Sequence, residues 1–284
     1  KSKYLKTGAT NFPDKNFGLN DMSLGASPDI VQTINQEERM LSYFFRANYN
    51  LKQRYLFAAS IRADGSSKFG ANNKWGYFPS ASFAWRASEE EFIKRWNVFS
   101  NLKVRLSYGA AGNNHIDNYL SLSKIGSVWI PYGTGTQSGF VSKQLYNPDL
   151  KWETTTEWNA GLDFGFFNGR ISGSVEYYYK VISDLLNYKP LNSYQTITQV
   201  IANIGKTKST GIEVTLNTKN IVTKDFFWST DLTFTKYKDR WKERTPDWKP
   251  AVYEKYDAPI RAIYSRRADH ILQIGEKVPD AQPL

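Results

Sequence analysis

Hydrophobic and polar side chains alternate with a period of two along most of the chain, and helical spacing is almost absent. Such alternation is typical of β-strands that have one apolar and one polar face. The longest run, 152–164, places Trp152 and Trp158 on one face and Glu153 and Asp163 on the other. The pattern predicts about nine strands. They lie at 42–51, 54–62, 77–87, 102–108, 117–124, 152–164, 171–181, 212–216 and 226–234.

One short segment departs from this alternation. Ser88 is followed by three glutamates, and Glu91 occupies the position at which a capping box places its acid. Acidic residues also suit the positive end of a helix dipole. The segment predicts a short helix with Ser88 as its N-cap.

Short and long connections take turns along the chain. Tight turns are predicted at 51–53 and between 218 and 226, where neighbouring runs lie close in sequence. A third is predicted at Asn168-Gly169, because Asn and Gly tolerate the positive φ of a hairpin turn. Between them lie long stretches rich in Gly, Asn and Ser, at 63–76, 109–118, 125–150 and 184–200. Outer-membrane barrels show this asymmetry, with short periplasmic turns and long external loops.

Two all-β folds fit this pattern. A soluble sandwich buries the apolar faces of its strands, whereas a membrane barrel turns them toward lipid and lines its lumen with the polar faces. Several runs reach ten residues, which matches a tilted membrane strand better than a typical globular one. Aromatic residues also lie near the ends of the runs, as in an interfacial belt. These features favour a transmembrane antiparallel β-barrel, and the soluble sandwich remains the alternative.

Composition narrows the classes further. The 284 residues include no Cys, which excludes a disulfide scaffold and a thiolate metal site. Trp, Tyr and Phe make up 15% of the chain, which excludes disorder. The mean hydropathy is −0.54, and no run of about 18 apolar residues predicts a membrane-spanning helix. The chain is therefore rich in aromatic residues but polar on average, as a barrel is when its two faces are averaged.

Several blocks of sequence closely resemble the SusC/RagA-type TonB-linked outer-membrane transporters of Bacteroidota. They occur in the order of that family and extend over about 40 to 240. The blocks are RADGSSKFG at 62–70, WGYFPSASFAW at 75–85, LKVRLSYG at 102–109 with Gly112-Asn113, NPDLKWE at 147–153, TTTEWNAGLD at 154–163 and GIEV at 211–214.

The resemblance implies a 22-stranded barrel with a plug, import of glycan oligosaccharides or peptides, a SusD-like surface lipoprotein as a lid, and TonB as the source of energy. The sequence contains no plug domain and no segment recognisable as contacting TonB. It begins without a signal peptide, and its last residues, which include Pro279 and Pro283, predict no strand. We therefore expect residues 1–284 to be part of one barrel domain, with strands mainly at 40–240, from the C-terminal half of a larger outer-membrane protein.

No motif points to catalysis, a cofactor or a metal site. His115 and His270 have no acidic or nucleophilic partner at a suggestive spacing, and both are interpreted as loop residues. The glycine-rich stretch 133–139 does not have the spacing of a phosphate-binding loop, and no helical pattern follows it. We interpret the carboxylates of 153–163 as lining the lumen.

Aromatic residues in the long connections are the better candidates for function. Flat rings stack on sugars or bury peptide side chains, so these residues are candidate substrate contacts, with packing or an interfacial belt as the alternative. They are Trp75, Tyr77, Trp129, Tyr132, Tyr188 and Tyr194.

The formal net charge of +10 calls for an anionic partner only where it is clustered. Nucleic acid is not expected, because Lys and Arg are spread along the chain without a patch interleaved with exposed aromatics. The exception is the cluster at 236–242, which follows a strand. It suits anionic lipopolysaccharide or an acidic substrate. The alternative is a group of charged residues exposed to solvent at the base of a loop.

Overall fold

The computed structural model describes residues 2–10, 27–192, 194, 196–246 and 248–263. These residues form β-strands and one four-residue helix, α1, at Glu91–Lys94, which follows a 3₁₀ turn at Ala87–Glu89. The predicted all-β class is confirmed. The strands are β1 (Ser2–Thr10), β2 (Ser27–Gln36), β3 (Met40–Leu51), β4 (Tyr55–Ser66), β5 (Trp75–Arg86), β6 (Phe99–Asn113), β7 (Lys124–Tyr132), β8 (Gly135–Gln144), β9 (Glu153–Phe166), β10 (Ile171–Ser183), β11 (Leu186–Pro190), β12 (Gln199–Asn203), β13 (Lys206–Val222) and β14 (Phe227–Glu243).

Eight long strands form one antiparallel sheet in the order β14-β13-β10-β9-β6-β5-β4-β3. Each strand pairs with the next long strand of the chain, as in the wall of an up-and-down barrel. The other strands form separate two-stranded hairpins, β1–β2, β7–β8 and β11–β12. The hairpin β7–β8 lies in the connection from β6 to β9, and β11–β12 lies in the connection from β10 to β13. Both connections are at the same end of the sheet, which we call the long-connection end.

Eight of the nine predicted strands are found in this sheet, and the ninth prediction was wrong. Residues 118–121 form turns, and a strand begins only at Lys124. The positive φ of Tyr119, 68°, interrupts any extended backbone there. The sequence also missed the hairpins β7–β8 and β11–β12, because their alternation is short and broken by Gly, Pro and Asn.

The tight turns lie where they were predicted. Lys52 and Gln53 adopt positive φ between β3 and β4, and Asn168 and Gly169 do so between β9 and β10. The turn from β13 to β14 closes with a hydrogen bond from the amide of Thr223 to the carbonyl of Phe226 at 2.9 Å. All three turns lie at one end of the sheet, which we call the short-turn end.

The helix was predicted in the right place but with the wrong cap. Helix α1 begins at Glu91, so its N-cap position is Glu90, and neither Ser88 nor Glu90 makes a side-chain cap. The Glu90 carboxylate instead accepts hydrogen bonds from the Tyr55 hydroxyl at 2.7 Å and from Arg54 Nη1 at 3.0 Å. The hydrogen bond from Tyr55 holds the pKa of Glu90 below its usual value. Tertiary partners thus replace the local capping box and join α1 to the β3–β4 turn.

The apolar face of the sheet is open to its surroundings, whereas a soluble sandwich would bury it. Phe45 on β3 is 66% exposed, Trp158 on β9 is 61% exposed and Phe234 on β14 is 59% exposed. The polar face carries hydrogen-bonded pairs such as the Ser60 and Ser80 hydroxyls, 2.7 Å apart. This arrangement, apolar outside and polar inside, is that of a barrel wall in lipid.

The chief buried cluster lies at the opposite end, the long-connection end. The ladder between β5 and β6 stops at Ser80 and Gly109, because Pro79 has no amide to continue it. The Phe78 ring then lies close to Gly112, where a Cβ atom would lie only 2.0 Å from its Cζ. The buried cluster comprises Phe69, Phe78, Leu150, Trp152 and Ile201. It joins three connections to the end of the sheet.

Candidate functional site

A cavity of about 440 Å³ lies beside this buried cluster at the long-connection end. Separate segments of the chain form its wall: the end of β2, the β4–β5 connection, the stretch after β6, and the β11–β12 hairpin. The lining residues are Gln36, Lys68, His115, Ile116, Asp117, Asn118, Leu120, Leu186, Tyr188 and Ile201. We call it the loop cavity.

The apolar side of the loop cavity continues the buried cluster. Ile201 belongs to that cluster, and Ile116, Leu120 and Leu186 pack against it. The walls are therefore held by a packed core rather than by the connections alone. A rigid, partly apolar wall with a few polar groups is the usual composition of a small-molecule site.

Hydrogen bonds fix the β11–β12 hairpin that carries Tyr188. The Glu153 carboxylate accepts from the Leu186 amide at 3.1 Å and from Asn113 Nδ2 at 3.0 Å. On the other strand, Asn147 Nδ2 donates to the Ile201 carbonyl at 2.7 Å. Two polar side chains outside the hairpin thus hold both of its strands against the sheet.

The polar side of the loop cavity carries hydrogen-bond donors, hydrogen-bond acceptors and charged side chains of both signs. The Lys68 side chain is 13% exposed, and its Nζ lies 3.3 Å from Glu38 Oε1. The Asn118 Oδ1 atom is buried and, among the described residues, has no hydrogen-bond partner. A buried acceptor without a donor costs free energy, and a ligand hydroxyl or amide would relieve that cost. With His115 and Asp117 beside it, the cavity suits a ligand rich in hydrogen-bonding groups.

Of the predicted aromatic candidates whose side chains the structure describes, Tyr188 is the one that lines this cavity. Trp75 and Tyr77 lie on the apolar face, where the Trp75 ring stacks on Tyr43 with centroids 5.8 Å apart. Tyr194 is 95% exposed in the connection between β11 and β12. The side chains of Trp129 and Tyr132 lie outside the described residues, although the backbone of both belongs to β7.

Sequence reasoning missed His115, Asp117 and Asn118 as a group. His115 was interpreted as an isolated loop residue, which it is, but the turns after β6 bring it to the cavity with its neighbours. The available signal was the density of polar residues in 113–118, directly after a strand. His270 lies outside the described residues.

A second polar cluster lies on the inner face of the sheet. The Arg105 guanidinium forms two hydrogen bonds to Asp163, at 2.7 and 2.9 Å, and a third to Glu176 Oε1 at 2.6 Å. Gly161 stands opposite Arg105 on β9, and a Cβ atom there would lie 3.0 Å from the guanidinium carbon. The missing side chain lets Arg105 reach across β9 to Glu176 on β10. We call Arg105, Asp163 and Glu176 the luminal ion cluster.

No helix among the residues that the structure describes has the length and apolar composition to cross a membrane. Within the same ranges, no group of three or more His, Asp or Glu side chains is placed to hold a metal ion.

The chain is similar to known proteins in both sequence and structure. Residues 4–268 match the family model described as TonB dependent receptor-like, beta-barrel. TonB-dependent receptor SusC of Bacteroides thetaiotaomicron is 43% identical over 201 residues, which cover 69% of this chain and 20% of that protein. TonB-dependent receptor P3 of Formosa agariphila is 36% identical over 271 residues, which cover 95% of this chain and 27% of that protein.

Among solved structures, that of the RagAB peptide transporter matches with a TM-score of 0.71 and 28% identity, over 81% of this chain and 25% of that one. The chain thus spans about a quarter of the length of the proteins it matches. These are transporters and receptors rather than enzymes, and the likeness to SusC and RagAB confirms the resemblance in the sequence. The chain belongs to the TonB-dependent receptors and forms part of their outer-membrane β-barrel.

Proposed function

We propose that the whole protein imports glycan oligosaccharides or peptides across the outer membrane and that the loop cavity contacts the substrate on its way in. The cavity is the observation that carries this proposal. It lies at the long-connection end of a barrel wall, the end that faces outward in outer-membrane barrels. An importer needs a binding site at that end.

The chemistry of the loop cavity suits either substrate class. Tyr188 offers a flat ring. The polar lining residues offer hydrogen-bond donors and acceptors for sugar hydroxyls or peptide groups, and they are Lys68, His115, Asp117 and Asn118. One structural relative is described as a peptide transporter, which favours testing peptides alongside glycans. The rest of the apparatus would come from elsewhere: a SusD-like surface lipoprotein as a lid, a plug domain, and TonB acting on another part of the protein.

Lipid is the remaining partner of the proposed importer. The exposed apolar side chains of the sheet would contact the acyl chains of the outer membrane, and residues 1–284 would all belong to one barrel domain. The soluble sandwich, as a carbohydrate-binding or adhesin module, is not favoured, because the family match covers residues 4–268.

The test uses the full-length transporter with its lipoprotein partner, and measures binding and uptake of a glycan pool and a peptide pool. We expect Tyr188→Ala to weaken binding of the transported pool about tenfold, since loss of a stacking ring costs roughly 1 kcal/mol or more. Tyr194→Ala is the matched control, because that ring is 95% exposed and is not among the residues that line the cavity. Equal effects of the two substitutions, or none from either, would contradict the role of the cavity.

A second pair of variants tests the aromatic candidates on β7. We expect Trp129→Ala combined with Tyr132→Ala to reduce substrate binding, because both rings are candidate substrate contacts. Unchanged binding in the full transporter would remove these two residues from the candidate contacts and leave Tyr188 as the aromatic contact to be tested.

A further inference from the structure

The outward face of β13 and β14 changes from apolar to basic near the long-connection end. Leu232 and Phe234 on β14 pair with Leu216 and Val214 on β13, and together they form an apolar band. The next side chains on the same face of the two strands include four cations. They are Lys208, Lys236, Lys238 and Arg240, and we call them the basic ladder.

The register places the ladder in two neighbouring columns. Lys236 pairs with Ile212, Lys238 with Thr210 and Arg240 with Lys208. The register is uninterrupted from Ser229 to Trp241, so the even-numbered residues from 230 to 240 share one face. The lysines therefore stand directly beyond Phe234, on the face that carries the apolar band.

The charge of the ladder is largely uncompensated. None of its three lysines forms an ion pair with a described residue, and Lys236 and Lys238 are exposed. Arg240 donates to the Asp257 carbonyl at 2.9 Å, with the Asp257 carboxylate 3.7 Å away. The nearby acids are engaged elsewhere. Asp239 points to the opposite face and accepts from Ser209 at 3.1 Å, and Glu243 pairs with Lys206 at 2.7 Å.

The basic ladder begins directly beyond the apolar band. Lys236 lies two residues beyond Phe234, which is about 7 Å along the strand and about 5 Å toward the outside for a strand tilted by 35–45°. Lysine stems lie along apolar surface while their ammonium groups reach the polar layer. A ligand that fits both the apolar band and the basic ladder has acyl chains next to the band and anionic groups next to the ladder.

We propose that the basic ladder binds the phosphate groups of lipid A, the phosphorylated glycolipid of the outer leaflet, while its acyl chains lie on the apolar band of β13 and β14. This inference rests on the proposed function for one point, that the long connections face outward. Lysine binds phosphate as a point charge, and a column of three cations on β14 with Lys208 beside it suits the phosphates of one extended headgroup. The site differs from the loop cavity in both face and ligand.

The test measures binding of purified lipid A to the full-length transporter in neutral detergent, by native mass spectrometry and by thermal shift. The variant is Lys208→Gln with Lys236→Gln and Lys238→Gln. The control carries Lys52→Gln, Lys219→Gln and Lys224→Gln, which removes the same charge at the short-turn end. We expect the ladder variant to bind lipid A about 100-fold more weakly, and the control to bind it as the wild type does.

Dephosphorylated lipid A and inorganic phosphate define what is recognised. We expect the wild type to prefer phosphorylated over dephosphorylated lipid A by at least about tenfold. Equal binding of the two lipids, an unaltered affinity in the ladder variant, or stabilisation by inorganic phosphate equal to that by lipid A would overturn the proposal.

Two further measurements keep the test independent of folding and of import. Heat-modifiable migration on gels shows that each variant is folded, and Lys238→Gln alone, expected to lose about fivefold in affinity, replaces the triple variant if the latter does not fold. Nutrient uptake is measured separately. Failure of uptake would contradict the proposed import but not the binding of lipid A. Equal binding of both lipids would contradict lipid A recognition by the basic ladder but not the proposed import.

Discussion

Trp152 joins the connections at the long-connection end, and its removal tests whether they form a packed unit. The side chain is 5% exposed. Its ring centroid lies 4.9 Å from that of Phe69 and 5.5 Å from that of Phe78. Its Nε1 donates to the Lys74 carbonyl at 3.0 Å. One residue therefore contacts the β4–β5 connection through both its ring and its hydrogen bond.

The expected cost follows from burial. Truncation of a buried Trp to Ala costs about 3–5 kcal/mol, including the cavity left behind. If this energy stabilises the local structure alone, the opening equilibrium of the connections rises by about 10² to 10⁴-fold. Trp152→Phe keeps most of the apolar contact and removes the donor to Lys74, which costs about 1–3 kcal/mol. We therefore expect Trp152→Ala to destabilise the connections more than Trp152→Phe does.

Amide hydrogen exchange of the full receptor, read by mass spectrometry, measures the effect. We expect peptides covering 66–75 and 145–152 to exchange about 10² to 10⁴-fold faster in Trp152→Ala, because the Gly70 amide is bonded to the Leu150 carbonyl at 2.9 Å and opens with the cluster. Strand peptides around Leu106 and Ala160, which pair directly in the sheet, serve as the internal control. Equal acceleration of the strand peptides, or unchanged exchange at Gly70, would refute a local packed unit.

Three other substitutions test single features. Gly112→Ala should cost about 1–3 kcal/mol by overpacking against Phe78, seen as faster exchange of the same connection peptides, and unchanged exchange would contradict the close contact. Arg105→Leu should lower the temperature at which the barrel loses heat-modifiable migration. It removes the guanidinium bonds to Asp163 and Glu176 and leaves Asp163 with the longer contact to Lys103 Nζ at 3.8 Å, at a cost of about 1.5–3 kcal/mol. Because the pKa of Glu90 is lowered in the folded protein, the stability it contributes is full above its usual value of 4.5 and is lost as the pH falls through the lowered pKa. Glu90→Gln should therefore remove the acid sensitivity of Trp85 fluorescence at the helix α1 junction, and an unchanged acid response would assign the effect to other groups.

The sheet was largely predictable because each strand carries its own signal. In β9 every second residue from Trp158 to Phe164 is apolar, and lipid on one side and a polar lumen on the other both require that period. Turn chemistry added the β9–β10 hairpin, since Asn168 and Gly169 adopt the positive φ that this residue pair favours.

The loop cavity was not predictable in the same way. Its lining residues lie up to 165 positions apart, from Gln36 to Ile201, and no local period connects them. The capping prediction for Ser88 failed for a related reason, because Glu90 finds its partners in Arg54 and Tyr55, which only the folded sheet brings near. Local patterns determine strands and turns, whereas contacts between connections depend on the assembled wall.

The buried cluster that ties the β4–β5 connection, Trp152 and the β11–β12 hairpin together also bears on how access to the pore is controlled. These segments form a stationary rim around the loop cavity, since Phe69 and Leu150 are almost completely buried between them. A packed rim of this kind is a poor gate, so under the proposed function the surface lipoprotein proposed as a lid would supply opening and closure. The benefit lies in affinity: a substrate that meets preformed walls loses little binding energy in ordering them.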